Sequence, residues 1–297
     1  MKSVVSYPER GLDGKNSYRG NCSGKLIEDI IQQYSLQTLA DYMVGSGTTE
    51  DVCRRKGISG YFTDLNRGYD MVSMDIPERA GNIFWHPPYD NIIVYSDEQY
   101  SAQSVIDKYG FDPRINDLSR CKDWDDFVSK MNYCLLKQYS ALDKGGRIFV
   151  LMGDIKKKGK LYSMLCDIAK PGTLEQIIIK MQHNCFSDNV SYSGRFVPIV
   201  HEYLMVLRKD ASLIYPVSLP RKLKQDLRDS VNVTWRDLVA AVLEDRSKEL
   251  TLREIYRKID GHKKCENNIN WQAKIRQVLQ NHTCFVHVSK GCWAMAA

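Results

Sequence analysis

The sequence predicts an α/β protein: a sheet with helices on both faces, followed by a small separate module of three helices and a hairpin. Two patterns carry this. From about residue 24 to residue 207, short β-rich runs alternate with stretches of helical period, the order that builds a parallel sheet. Beyond residue 233, three capped helices precede two short terminal strands. The charge partition agrees with a division into two parts. Residues 1–210 hold 27 Lys/Arg and 27 Asp/Glu, so the net charge of +6 falls entirely on residues 211–297, with 15 against 9.

Leu26, Ile27, Ile30, Ile31 and Tyr34 recur at helical spacing and place one amphipathic helix over Gly24–Tyr34. A strand at Leu39–Met43 then leads into the turn Gly45-Ser46-Gly47-Thr48-Thr49. A helix runs through Arg55, and a strand at Ile58–Asp64 ends in a carboxylate. This is the order of a βαβ unit. The strand Asn82–Trp85 runs into His86-Pro87-Pro88-Tyr89, where two prolines must stop it. A helix is expected over Trp124–Leu142, with Lys144-Gly145-Gly146 as its stop, then a strand at Arg147–Met152. A helix at Leu161–Ile168, a strand at Leu174–Met181 and a last strand at Glu202–Leu207 complete the sheet.

Residues 211–230, with Pro216, Pro220 and mixed charges, read as a linker containing a short helix. Helices follow at Thr234–Leu243, at Thr251–Ile259 with Thr251 and Glu254 in capping-box relation, and at Asn270–Leu279. Strands at Cys284–Val288 and Cys292–Met295 flank Lys290-Gly291, which makes the module a winged helix-turn-helix. The expected domains are therefore 1–210, a linker over 211–230, and 231–297.

Nine scattered cysteines, odd in number and without a Cys-x-x-Cys pair, argue against a disulfide framework or a zinc ribbon and for a reducing compartment. There is no signal-peptide core and no run of about 18 apolar residues. A soluble, cytoplasmic protein without metal or membrane contact is expected.

Three features carry chemistry. In Gly45-Ser46-Gly47, missing side chains let a ligand approach the backbone, although a simple tight turn is the bland alternative. Asp64 lies 17 residues after Gly47 at the end of the next strand, where a carboxylate grips ribose hydroxyls. The ligand class implied is adenosine-bearing. His86-Pro87-Pro88-Tyr89 forms a rigid corner with an aromatic face, suited to a base drawn out of a duplex or simply to ending a strand.

These residues resemble the S-adenosylmethionine-dependent DNA amino-methyltransferases, which act on adenine N6 or cytosine N4. Asp41-Tyr42-Met43-Val44-Gly45-Ser46-Gly47-Thr48-Thr49 is similar to that family's cofactor motif, and His86-Pro87-Pro88-Tyr89 to its catalytic Asp/Asn/Ser-Pro-Pro-Tyr/Phe. Tyr18-Arg19-Gly20-Asn21-Cys22-Ser23 resembles the motif at the methionine end of the cofactor, and His201–Lys209 a late core strand. The resemblance covers residues 18 to 209 and implies a Rossmann-like methyltransferase sheet. It assigns the cofactor to Asn21, Ser23, Asp41, Gly45, Ser46, Gly47, Thr48, Asp64, Asp75 and Ile76, the last two as readers of adenine. It assigns catalysis to His86, Pro87, Pro88 and Tyr89. The target amino group would hydrogen-bond to the His86 side chain and the Pro87 carbonyl, which frees its lone pair for in-line attack on the sulfonium methyl. No Pro-Cys dipeptide exists for a C5 route.

Tyr42 stands where the family has proline, with an effect expected on turn geometry alone. His86 replaces the usual Asp, Asn or Ser, and as a neutral imidazole it offers a single acceptor nitrogen. Candidate DNA contacts are Lys156, Lys157 and Lys158, although a solvated loop is the more common meaning of such a run, then Arg195, and on the expected recognition helix Asn270, Gln272, Lys274 and Arg276, with Trp271, Ile275 and Leu279 as core. The expected function is adenine-N6 methylation of double-stranded DNA, with a cognate restriction endonuclease as candidate partner. Cytosine-N4 methylation, a catalytically impaired regulator that binds cofactor and DNA, and an RNA or protein amide methyltransferase are the alternatives.

Overall fold

The computed structural model describes residues 1–183, 197–211, 214–220, 233–244 and 249–296. The chain divides into two compact units, Met1–Pro220 and Arg221–Ala297, each with apolar cores of its own.

In chain order the first unit contains β1 (Val4–Ser6), α1 (Gly24–Tyr34), α2 (Thr48–Lys56), β2 (Ala80–Trp85), α3 (Ala102–Tyr109), α4 (Trp124–Ala141) and β3 (Leu142–Met152). There follow β4 (Asp154–Lys157), β5 (Lys160–Ser163), α5 (Met164–Asp167), β6 (Lys170–Pro171), β7 (Thr173–Met181), β8 (His201–Arg208) and β9 (Val217–Ser218). The main sheet has the order β1-β7-β8-β3-β2. Pairs β2/β3 and β1/β7 are parallel, whereas β8 runs antiparallel to both of its neighbours. Outside β2 the sheet continues through bridges that pair Ala40 with Ile83 and Asp41 with Phe62, both parallel. The expected strands at 39–43 and 58–64 are thus extended segments paired in parallel through isolated bridges and backbone hydrogen bonds such as Leu39 N–H to Ser59 C=O and Asp41 N–H to Tyr61 C=O.

Strand alternation sorts the core onto two faces. Ile83, Trp85, Ile148, Val150, Met152, Met205 and Leu207 pack with Phe127, Met131, Leu135 and Tyr139 of α4. Phe84, Phe149, Leu151, Leu204 and Val206 pack with Leu26, Ile27, Ile30 and Ile31 of α1 and with Val52 and Cys53 of α2. The expected α/β sheet with helices on both faces is the one observed. Helix α1 has the expected bounds because Ser23 caps its first turn and Ser35, in the left-handed region, turns its N–H back to the Gln32 and Ile31 carbonyls.

Three expectations need correction. Lys144-Gly145-Gly146 does not separate helix from strand: β3 begins at Leu142, its register shifts across the glycines, and Gly145 N–H and Gly146 C=O pair with Lys209. The expected helix at Leu161–Ile168 holds only in its second half: Leu161–Ser163 belong to β5, whose hairpin with β4 turns at Lys158 and Gly159, both at positive φ, and Met164–Asp167 are helical. The linker also starts late, because Val217–Ser218 pairs with β6 and the Tyr215 ring packs edge-on against Tyr139 at 4.7 Å. Most of the short helix expected within the linker lies outside the described residues.

The second unit contains α6 (Trp235–Leu243), β10 (Leu250–Thr251), α7 (Leu252–Ile259), α8 (Lys263–Glu266), α9 (Trp271–Asn281), β11 (Phe285–Ser289) and β12 (Cys292–Met295). Its sheet has the order β10-β12-β11. Thr234 caps α6, and Thr251 with Glu254 forms the expected capping box on α7. Leu238, Val242, Ile255, Ile259, Ile275 and Leu279 close the core, and Trp271 lies half-buried against Tyr256. Strand β10 and the one-turn α8 are additions to the sequence reading.

The eight described cysteines are unpaired. Among the described residues no helix is long and apolar enough to cross a membrane, and no three His, Cys, Asp or Glu side chains are grouped to hold a metal.

Candidate active site

The segment 38–41 and β2 both deliver their C-terminal ends to one edge of the sheet. A cleft of about 810 Å³, counted to its open mouth, lies there and is lined by Asn21, Asp41, Gly45, Asp64, His86 and Pro88, with Thr48 and Thr49 beside them. Residues 65 positions apart in sequence, from Asn21 to His86, thus face one space.

The glycine turn is built for close approach. Gly45 has φ +54°, and a Cβ on it would stand 3.2 Å from the Tyr18 ring. Gly47, at φ +97°, is the N-cap of α2, so the positive end of that helix starts at the turn. Asn21 ties the turn down: its Oδ1 accepts from Ser46 Oγ and, at 3.3 Å, from Thr48 Oγ1, while its amide donates to the Lys15 carbonyl at 2.7 Å.

Two buried carboxyls flank the turn. Asp41 accepts from Thr49 Oγ1 at 2.7 Å and from Met43 N–H at 3.0 Å. Burial outweighs these bonds and pushes its pKa up to about 7. Asp64 accepts from Gly45 N–H at 2.9 Å and Asn66 N–H at 3.0 Å, and burial raises it as well. Tyr18, Tyr95 and Tyr100 add aromatic surface to the lining, with the Tyr18 and Tyr95 rings 5.6 Å apart. Tyr100 Oη is buried without a hydrogen-bond partner among the described residues.

His86 lies at the end of β2. Its Nε2 is 3.0 Å from Tyr89 Oη, which donates to Glu202 Oε1 at 2.7 Å. Glu202 Oε2 accepts from Lys180 Nζ at 2.5 Å. Burial, opposed by Glu202 and assisted by Lys180, holds the imidazole pKa down at about 4. For Glu202 burial works upward, but the charge of Lys180 prevails and keeps the carboxyl below its usual range.

Several expected site residues fall elsewhere. Ser23 spends its hydroxyl on the Arg10 carbonyl and on capping α1. Asp75 is exposed and Ile76 is packed against the core, because the Asp70 carboxylate collects Val72 N–H, Ser73 N–H and Ser73 Oγ in a tight turn that carries the chain away. Asp70, Met71 and Val72 line the cleft instead. Ser46 and Gly47 support the turn without lining the cleft. Pro87 and Tyr89 do not line it either, and the Tyr89 ring sits where a Cβ on Gly153 would be 2.7 Å away, so its face is spent on packing. Tyr42 does more than shape a turn: it is fully buried, packs on Tyr61 and Tyr69, and donates to the Glu78 carbonyl.

Of the basic candidates, Lys157 bonds to Asp90 and Asn91 and Lys156 to the Val197 carbonyl at 2.9 Å, while Lys158 occupies the hairpin turn. Arg195 lies outside the described residues. In the second unit, Asn270 is the N-cap position of α9, and Gln272 and Arg276 are exposed on that helix, with Arg276 bonded to Tyr256 Oη at 3.0 Å. Lys274 Nζ donates to Gln277 at 2.9 Å.

The sequence reading missed Lys180, Glu202, Tyr95 and Tyr100, and placed Tyr18 only within the motif at residues 18–23. Lys180 follows the apolar run Ile177-Ile178-Ile179 and Glu202 precedes Tyr203-Leu204-Met205-Val206-Leu207, a charge at the end of an apolar run being the available signal.

The two buried groups titrate in opposite senses. Folded Asp41 holds a proton that the unfolded chain has released above 3.8, so it adds stability as pH falls through about 7. Folded His86 refuses a proton that the unfolded chain takes up below 6.5, so stability is lost as pH falls from 6.5 to 4. In Asp41→Asn the Asp41 contribution is removed and that of His86 is no longer offset by it. The variant's unfolding free energy from urea titrations is expected to decline steadily over that interval, by on the order of 2–3 kcal/mol, where the wild type is flatter. Identical pH profiles for the two proteins would refute the raised Asp41 titration.

No protein-family model matches the chain, and no curated protein sequence does. Among solved structures it is similar to a candidate DNA modification methylase from Thermus thermophilus, at 14% identity over 65% of this chain and 58% of that one, with a TM-score of 0.26. It is similar to TehB from Haemophilus influenzae at 8% identity over 62% of each chain, with a TM-score of 0.29. A SAM-dependent methyltransferase from Archaeoglobus fulgidus is similar at 9% identity over 64% of this chain and 96% of that one, with a TM-score of 0.32. The chain thus spans less than two thirds of the first two proteins. At such scores, likeness defines neither an activity nor a ligand.

Proposed function

We propose that the protein is an S-adenosylmethionine-dependent DNA methyltransferase that modifies the exocyclic amino group of a flipped base, adenine N6 first and cytosine N4 as the alternative. The observation that carries this reading is the single cleft gathering the glycine turn, Asp41, Asp64 and the His86-Pro88 corner. The donor set fits the cofactor. The faces of Tyr18 and Tyr95 suit a ligand carrying positive charge, the Asp64 carboxyl can accept from ribose hydroxyls, and Tyr100 Oη, without a partner among the described residues, has a hydrogen bond to offer. Gly45, Asn21 and Thr48 would hold the amino-acid end and Asp64 the ribose, with Met71 and Val72 as apolar surface for the base.

When bound, the cofactor supplies an electrophilic methyl group on a positively charged sulfur. The chain's own task is to orient the nucleophile and exclude water. His86, neutral at physiological pH, accepts one amino hydrogen of the target, and no enzyme nucleophile is needed. The basic excess after residue 211, together with three helices and a three-stranded sheet in winged helix-turn-helix order, supports duplex DNA as the partner, with Gln272, Lys274 and Arg276 of α9 toward it.

The test is incubation with labelled S-adenosylmethionine and unmethylated duplex DNA, followed by digestion to nucleosides. N6-methyladenosine is the expected product, and N4-methylcytosine would move the target to the alternative base. Cofactor binding without transfer would favour a DNA-binding regulator inactivated by the histidine at position 86.

A further inference from the structure

We propose that Lys180, Glu202 and Tyr89 form a relay that locks His86 as the tautomer protonated on Nε2, leaving Nδ1 as the acceptor for the target amino group. Glu202 and Lys180 are then positioning residues for the reaction. The role given to Nδ1 rests on the methyltransferase reading, whereas the tautomer itself does not.

Hydrogen-bond direction decides the matter. Glu202 is paired with Lys180 at 2.5 Å and is ionised, so it only accepts. The one hydroxyl hydrogen of Tyr89 therefore goes to Glu202, 2.7 Å away. Tyr89 Oη has only lone pairs left for His86, so the hydrogen in the 3.0 Å contact must belong to Nε2. A neutral imidazole so protonated has a bare Nδ1, which no described residue occupies. The other charged or titratable groups near the relay do not compete for that nitrogen. Lys180 is engaged by Glu202, and burial pushes the Cys22 thiol up to about 12, so it stays neutral.

The fold supplies the geometry. Lys180 and Glu202 stand directly opposite each other in the antiparallel β7/β8 pair, at the same sheet edge where β2 releases His86. Gly153, just past β3, leaves the room that the Tyr89 ring fills. A serine or asparagine acceptor has no tautomer to fix. An imidazole has two, and only one of them presents a lone pair to the substrate.

The test uses the full chain with ¹⁵N-labelled histidine, His86 being assigned among the six histidines by its loss in His86→Asn. Nitrogen shifts and two-bond couplings are expected to show Nε2–H with a bare Nδ1 between pH 6 and 8. In Tyr89→Phe that state should give way to a mixture of tautomers. The same variant should lower kcat roughly 10-fold or more with KM within a few-fold, as expected when a positioning group is removed. In a His86→Asn background, Tyr89→Phe should cost less than about 3-fold, because an amide oxygen accepts without prior protonation of a partner atom. A wild-type His86 protonated on Nδ1, or a tautomer unchanged in Tyr89→Phe, would overturn the relay. The wild-type spectrum decides even if the variant fails to fold, and it does so whether or not the protein methylates DNA.

Discussion

His86→Ala is expected to lower methyl transfer to DNA by roughly 100- to 1,000-fold, the scale seen when one oriented hydrogen-bond partner is removed from a reacting group, while cofactor affinity changes only a few-fold. The separation follows from geometry. The groups assigned to the cofactor, Asn21, Gly45, Thr48 and Asp64, are held by hydrogen bonds among themselves and to neighbouring backbone. His86 is held by Tyr89. Removing the imidazole leaves the glycine turn intact and deletes the acceptor. The pH profile gives a second check, because an imidazole held at about 4 keeps its acceptor free across the physiological range. The rate under saturating substrates should be governed by His86 only below about pH 5. An acidic limb centred near pH 6.5 that vanishes in His86→Asn would contradict this, as would an alanine variant with full activity.

Ending the chain at Pro220 is expected to weaken duplex binding at least about 10-fold at physiological salt and to flatten its salt dependence by roughly 0.9 in slope for each phosphate the shortened chain no longer neutralises. Cofactor binding should persist, because every residue lining the cleft lies between positions 18 and 118 and the first unit keeps both of its cores. Fluorescence anisotropy of a labelled duplex over a salt series, with calorimetry of cofactor binding alongside, separates the two effects. An unchanged salt slope would show that the basic excess beyond residue 211 does not meet DNA.

How far the sequence revealed these features depends on how local their causes are. Helix α1 was legible to the residue because five apolar positions at helical spacing and a serine cap lie within a dozen residues. The glycine turn, Asp64 and the two prolines after β2 announced themselves in the same way. The β4/β5 hairpin did not. Leu161, Met164, Leu165 and Ile168 mimic helical spacing, and the Lys158-Gly159 turn reads as loop until its two positive φ angles are seen. Asp75 and Ile76 were displaced from the cleft by a local turn around Asp70 whose hydrogen bonds no spacing rule exposes. Glu202 and Tyr89 are 113 positions apart, and their contact depends on sheet register and strand order. Each was a solitary polar group with no partner until the sheet was assembled.

The position of β8 has a bearing on how the protein is made. It fills the middle of the sheet, between β3 and β7, yet it is the last of the five strands to leave the ribosome. Until residues 201–208 emerge, β7 has no route to β3, and the nascent sheet is split by a missing central strand. Such late, long-range closure raises contact order and slows folding. The same step brings Glu202 to the Tyr89 hydroxyl that contacts His86, so a partly synthesised chain carries its glycine turn before this chain of hydrogen bonds is complete. Completion of that hydrogen-bond chain and closure of the sheet are thereby one event in the life of the chain.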